Sequence, residues 1–171
     1  MTLQQILREH PFMAELTEGQ IETLVGLASE GMFQKNEVIL QDSRRSTSFY
    51  LLTSGSVAVE LRTPAYVVCI QALGVGQVFG WSALLEHQET LFQVRARERT
   101  TALRLDGAQL QAACRADAAL GAKILHRALQ VVAGRVWATE IRFAEMCGVK
   151  VGLMASREPY PTSSATIFGS S

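Results

Sequence analysis

From Phe49 to Gly80 the chain reads FYLLTSGSVAVELRTPAYVVCIQALGVGQVFG, and the rhythm of this stretch decides the fold. Phe49 to Leu52, Val57 to Val59, Val67 to Ile70 and Val78 to Phe79 are short apolar runs rich in β-branched and aromatic residues, the composition of strands. Turn formers separate them: Thr53-Ser54-Gly55-Ser56, Thr63-Pro64 and Gly74-Val75-Gly76. The pattern extends upstream to Val38-Ile39-Leu40, divided by Lys35-Asn36 and Asp42-Ser43, and downstream to a strand pair around Phe92 to Ala96 and Ala102 to Leu105. Many short strands at such intervals predict a β-barrel, roll or sandwich.

On both sides of the strands the period becomes helical. Leu3, Ile6 and Leu7 form a short apolar face before His10-Pro11, where proline discourages continuation. Thr17 followed by Gln20 is a capping-box pattern, and Ile21, Leu24, Val25 and Ala28 predict a second helix ending near Gly31. Downstream, Asp106 is an N-cap for a helix through Cys114. From Ala118 to Met146 there is no proline, and Leu120, Ile124, Ala128, Val131, Val132, Arg135, Val136, Thr139 and Phe143 mark one stripe. A helix of that span reaches roughly 40 Å, longer than a small β-domain needs to cover its core, so its excess length points to a partner. Gly148 ends the pattern, and the residues beyond it, without period and rich in Gly, Pro, Ser and Thr, are expected to form an extended or disordered tail.

The 171 residues, 48% hydrophobic and 19% charged, suffice for one core and one domain. A formal net charge of zero supplies no long-range field to draw in nucleic acid or an anionic membrane. Cys69, Cys114 and Cys147 are few and far apart, without zinc-ribbon spacing or the density of a disulfide scaffold, and read as reduced thiols. The early charges of the N-terminus do not suit a secretory signal, and no stretch approaches the length of about 18 apolar residues that spans a bilayer. A cytoplasmic protein, with neither nucleic acid nor membrane as partner, is expected.

The ordered landmarks Phe33, Glu37-Val38-Ile39, Phe49-Tyr50-Leu51-Leu52, Gly55-Ser56-Val57, Leu73 to Gly80, Ala83-Leu84-Leu85 and Val94-Arg95-Ala96 carry a family resemblance. This segment resembles the effector domain of the catabolite-activator and fumarate-nitrate-regulator superfamily, found also in regulatory subunits of protein kinase A. The resemblance implies an α+β fold: a double-stranded β-helix or jelly-roll-type β-roll, flanked by N-terminal helices and a long C-terminal dimerisation helix. It divides the chain into N-terminal helices at 1–32, the roll at 33–116, the long helix at 117–148 and the tail at 149–171. Leu129-Gln130, Arg135-Val136, Phe143 and Cys147-Gly148 match the family's dimerisation helix. No helix-turn-helix follows, so the expectation is a bacterial, homodimeric sensor half without a DNA-reading half.

In cyclic-nucleotide-binding members of that superfamily, a short helix after the glycine turn offers N–H groups to the phosphate. A glutamate there holds the ribose 2′-hydroxyl, and a downstream arginine pairs with the phosphate, as a partly buried anion requires. Gly80 and Ala83 keep the turn and its small residue, but Trp81 stands at the glutamate position, and an indole accepts no hydrogen bond. The arginine position falls at Thr90, or at Leu91 in the alternative register, and neither is a cation. Losing one charge-assisted bond costs about 2–3 kcal/mol, so tight binding of cyclic AMP or cyclic GMP is not expected. The pocket candidates are Phe79, Gly80, Trp81, Ser82, Ala83, Thr90 and Leu91, and the ligand class is a small nucleotide-like effector. Trp81 has two readings, a core filler closing a vestigial site or an aromatic platform for a different ligand.

No nucleophile elbow, phosphate-binding loop or metal-ligand spacing is present, so no enzyme activity, cofactor or metal is expected. His87 and Cys69 suggest a haem pair, yet no spacing forces them together, and His10 and His126 read as surface or interface residues. The charged stretch from Arg95 to Arg104 reads as a solvated face around a turn. Two functions remain: a sensor that relays effector or partner binding through the long helix, or a ligand-free structural or interaction subunit of a larger assembly. In both, Ala128, Val131, Val132, Arg135, Val136 and Thr139 are the expected dimerisation residues.

Overall fold

The computed structural model describes residues 1–85 and 89–148; the expected tail and His87 lie outside them. Two short helices, α1 (Leu3–Glu9) and α2 (Glu18–Val25), are joined through a 3-10 turn at Pro11–Met13. The capping box at Thr17 forms as the sequence predicts: its hydroxyl accepts from the Gln20 amide while the Gln20 side chain accepts from the Thr17 amide. The strands are β1 (Ala28–Phe33), β2 (Val38–Leu40), β3 (Ser48–Ser54), β4 (Val57–Arg62), β5 (Val67–Leu73), β6 (Val78–Phe79), β7 (Phe92–Ala96) and β8 (Thr100–Asp106). They form two antiparallel four-stranded sheets, ordered β1-β8-β3-β6 and β2-β7-β4-β5. Helices α3 (Gly107–Ala116) and α4 (Ala118–Met146) follow, with Asp106 capping the first of them. This is the α+β roll with flanking helices that the sequence predicts.

One expectation about the elements fails. The second helix ends at Val25, not near Gly31, and Ala28–Phe33 is instead the first strand, paired along its whole length with β8 from Ala28↔Leu105 to Phe33↔Thr100. Ala28 continues the apolar helical spacing for one more turn, but six residues of ladder against a central strand outweigh that local preference. The roll therefore takes in residues that the sequence assigned to the N-terminal helices.

Strand β3 explains why the Phe49 to Leu52 run is apolar without alternation. Side chains alternate faces along a strand, and here both faces are covered. Phe49 and Leu51 face the helices, joining Leu7, Met13, Leu24, Leu103, Leu110, Leu120 and Ile124 in one buried cluster. Tyr50 and Leu52 face the interior of the roll, with Val57, Val59, Phe79 and Val94 in a second. Tyr50 and Phe79 stack with ring centroids 4.7 Å apart, fastening β6 to β3 immediately before the glycine turn.

Candidate functional site

The turn after β6 is set by Gly80. Its φ of +79° lies in the left-handed region, and a Cβ there would meet the Ser48 carbonyl oxygen at 2.5 Å. A 3-10 helix, Trp81–Leu84, follows directly, with the Ala83 amide donating to the Gly80 carbonyl. Its far side presses on the start of α3: a Cβ on Gly107 would stand 2.8 Å from the Ala83 carbonyl oxygen, which also accepts a 2.7 Å bond from the Gln111 side chain. The cassette turn is thus clamped between the loop entering β3 and the first turn of α3. The Gly107 contact has no local signature in sequence.

In front of this turn lies a cavity of about 520 Å³. Leu40, Val59, Ile70, Gln71, Phe92 and Val94 of the second sheet and its margins form its floor. Gly80, Trp81, Ser82 and Thr90 form one side, and Val132, Arg135, Val136, Thr139, Glu140 and Phe143 of α4 form the roof. Four of the seven pocket candidates therefore line it. Phe79 is fully buried in the roll, Ala83 is buried behind the turn, and Leu91 is 72% exposed, all outside the cavity wall. Of the two registers for the arginine position, the cavity takes Thr90, whose hydroxyl accepts from the Phe92 amide and whose carbonyl accepts from the Ser43 amide. The half-buried Trp81 indole packs against the helix-side core and also walls the cavity.

A cation does reach this cavity, from a place the cassette pattern does not point to. Arg135 on α4 lines it, with Nη2 donating a 2.6 Å bond to the Val78 carbonyl. Its Nε is shut from solvent without a hydrogen-bond partner, and no ion pair to it occurs among the described residues. Burial lowers its pKa to about 10, which leaves the guanidinium charged at neutral pH. The signal in sequence is the one charged residue of the stripe on α4. Arg44 and Arg45 line a separate recess beside Thr90.

Residues 30–117 match the family model described as the cyclic nucleotide-binding domain. The chain belongs to that family. A protein of Rhodopseudomonas palustris named as a potassium channel protein is 32% identical over 125 residues, covering 73% of this chain and 29% of its own length. The chain thus spans under a third of that relative. Among solved structures, a cyclic nucleotide-binding protein from Geobacter metallireducens superposes with a TM-score of 0.70 at 24% identity, over 80% of this chain and 99% of its own. The regulatory subunit of a cAMP-independent protein kinase A from Trypanosoma cruzi, bound to guanosine, superposes with a TM-score of 0.60 at 20% identity, over 66% of this chain and 41% of its own. These two likenesses are of fold.

Helix α4 packs on two parts of the molecule. Of the expected dimerisation residues, Ala128 is buried in the helix-side core and Val131 packs against it, while Val132, Arg135, Val136 and Thr139 roof the cavity. The exposed apolar side chains of α4 are Leu125, Leu129, Val136, Trp137, Phe143 and Met146. His10, expected at the surface, is instead 5% exposed, with Nδ1 accepting from the Phe12 amide and Nε2 without a partner. It caps the 3-10 turn beneath the helix-side core, whereas His126 stays exposed on α4, 3.3 Å from the Gln130 side chain. The charged stretch is partly internal: the Arg95 side chain and the buried Gln93 both donate to Glu60. Cys69 is exposed on β5, and no group of three metal-binding side chains occurs among the described residues. No described helix is long and apolar enough to cross a membrane.

Proposed function

We propose that the chain is a non-enzymatic, cytoplasmic sensor module whose cavity takes a small effector other than cyclic AMP or cyclic GMP and relays its presence through α4. The observation that carries this reading is the roof: six residues of the cavity wall belong to the helix that leads away from the roll. A ligand that touches the roof stabilises the arrangement in which α4 is folded down, and its differential affinity for that arrangement is the signal. The degenerate cassette supports the exclusion of cyclic nucleotides, because Trp81 offers no acceptor for a ribose hydroxyl and Thr90 no charge for a phosphate. Glu140 is the sole carboxylate in the wall among the described residues, and it sits on the roof, away from the turn.

Association of two copies is part of the same proposal. Leu125, Leu129, Val132, Val136, Thr139, Phe143 and Met146 follow one another in alternating steps of four and three residues, the spacing of a coiled-coil seam. Val132, Val136, Thr139 and Phe143 belong to both seam and cavity roof, so a ligand under the roof would alter the seam directly. The guanosine-bound kinase subunit offers a precedent of fold for a ligand without a phosphate. Titration calorimetry tests the exclusion: cyclic AMP and cyclic GMP should bind more weakly than the low-micromolar range, and low-micromolar or tighter affinity for either would overturn it.

A further inference from the structure

The cavity, read above as the effector site, also indicates what chemistry fits it. Its floor is mainly hydrocarbon, from Leu40, Val59, Ile70 and Phe92, and α4 closes it with more. Into this apolar wall comes one cationic side chain, Arg135. A guanidinium presents a planar fork of donors, and at Nη2 one of them is held by the Val78 carbonyl. The shut-in Nε–H has no partner, which leaves one donor of a partly exposed charged group unsatisfied. A carboxylate in the cavity would accept from the remaining guanidinium donors and pair the charge, and a small shift of the side chain would bring Nε–H into the same bidentate contact.

The remaining wall limits the rest of the ligand. Gln71, Ser82, Thr90 and Thr139 are the neutral polar side chains, too few and too scattered to match a sugar ring. A dianionic phosphate would leave its second charge unpaired, because Arg44 and Arg45 line a different recess and Glu140 adds negative charge to the roof. A carboxylate carries a single charge and has the planar geometry of the guanidinium edge. The Trp81 indole and the Phe92 and Phe143 rings suit an aromatic or aliphatic body. We infer that the effector is a hydrophobic monocarboxylate, with its carboxylate on Arg135 and its hydrocarbon body between the second sheet and α4.

The test uses the full chain, with 4-phenylbutyrate and octanoate as probes and their primary amides as uncharged counterparts. In calorimetry the acids should bind saturably and at least tenfold more tightly than the amides. Arg135→Met, which keeps the length and apolar stem of the side chain, should abolish that preference. If the variant does not fold, as judged by circular dichroism, the comparison of acid with amide on the unaltered chain decides alone. Equal affinity for acid and amide, tighter binding of octyl phosphate than of octanoate, or no binding of either acid overturns the proposal. The sensor reading fails separately: neutral amides that bind and shift the melting temperature without acid preference leave it standing. It falls only if neither these probes nor a nucleoside and nucleotide panel shifts the melting temperature.

Discussion

Replacing Gly80 by alanine isolates the local geometry on which the whole site rests. At φ +79° an alanine sits in the left-handed region, which costs about 1–2 kcal/mol by itself. Its Cβ would also stand 2.5 Å from the Ser48 carbonyl oxygen and 3.2 Å from both Ser46 Oγ and Tyr50 Cδ2. The nearest neighbour is backbone, already accepting a 2.6 Å bond from the Ser46 hydroxyl, so relief requires movement of β3 or of the cassette turn. Strain and displacement together should cost about 3 kcal/mol, as backbone strain at a special conformation typically does. For a domain of this size that is a fall in melting temperature of roughly 6–12 °C. Gly74→Ala is the internal control, because its φ is outside the left-handed region and no heavy atom lies within 4 Å of its added Cβ. It should be neutral, or stabilising by about 0.5 kcal/mol through the unfolded chain. Urea unfolding of the three proteins, with equal slopes, measures the difference. Equal midpoints for Gly80→Ala and Gly74→Ala would refute the left-handed turn and with it the placement of Trp81 and Ser82.

Burial holds His10 down to about 4, from an ordinary 6.5, against a weaker opposing pull from the Leu52 backbone. The folded protein therefore resists a proton that the unfolded chain accepts, so stability is full above pH 6.5 and declines as pH falls toward 4. The loss should reach about 2 kcal/mol between pH 7.5 and pH 5, and His10→Gln should flatten that slope in urea titrations. The same slope in both proteins would contradict the buried neutral imidazole. On α4, Leu129 is 65% exposed, lies on the seam and is absent from the cavity wall, so Leu129→Glu tests association without touching the pocket. Sedimentation at tens of micromolar should give a dimer for the natural chain and a monomer for the variant; a monomeric natural chain removes the seam.

Features that depend on local chemistry were legible from residues alone. The capping box at Thr17, the cap at Asp106, the β3 run and the limits of α4 at Ala118 and Met146 each follow from a period or a side chain bonding its own backbone. The tight turn at Gly80 is of the same kind, since a glycine between strand runs declares it without reference to distant residues. Membership of the family rests on many such landmarks in order.

The decisions left to tertiary structure concern pairing at a distance and the choice between faces. Ala28–Phe33 is a strand because β8 offers it a ladder, and nothing within the segment announces that partner. On α4, one apolar stripe serves two surfaces, because side chains spaced by three or four residues spread across an arc wide enough to touch both the roll and the solvent. Packing against the roll assigned Ala128 and Val131 to the core and turned Arg135 into the cavity. The sequence by itself determined the roll, the long helix and the presence of Trp81 and Thr90 beside the glycine turn. Only the packed chain decided that Arg135 reaches the cavity from the helix above it, because that contact joins residues that no local pattern relates.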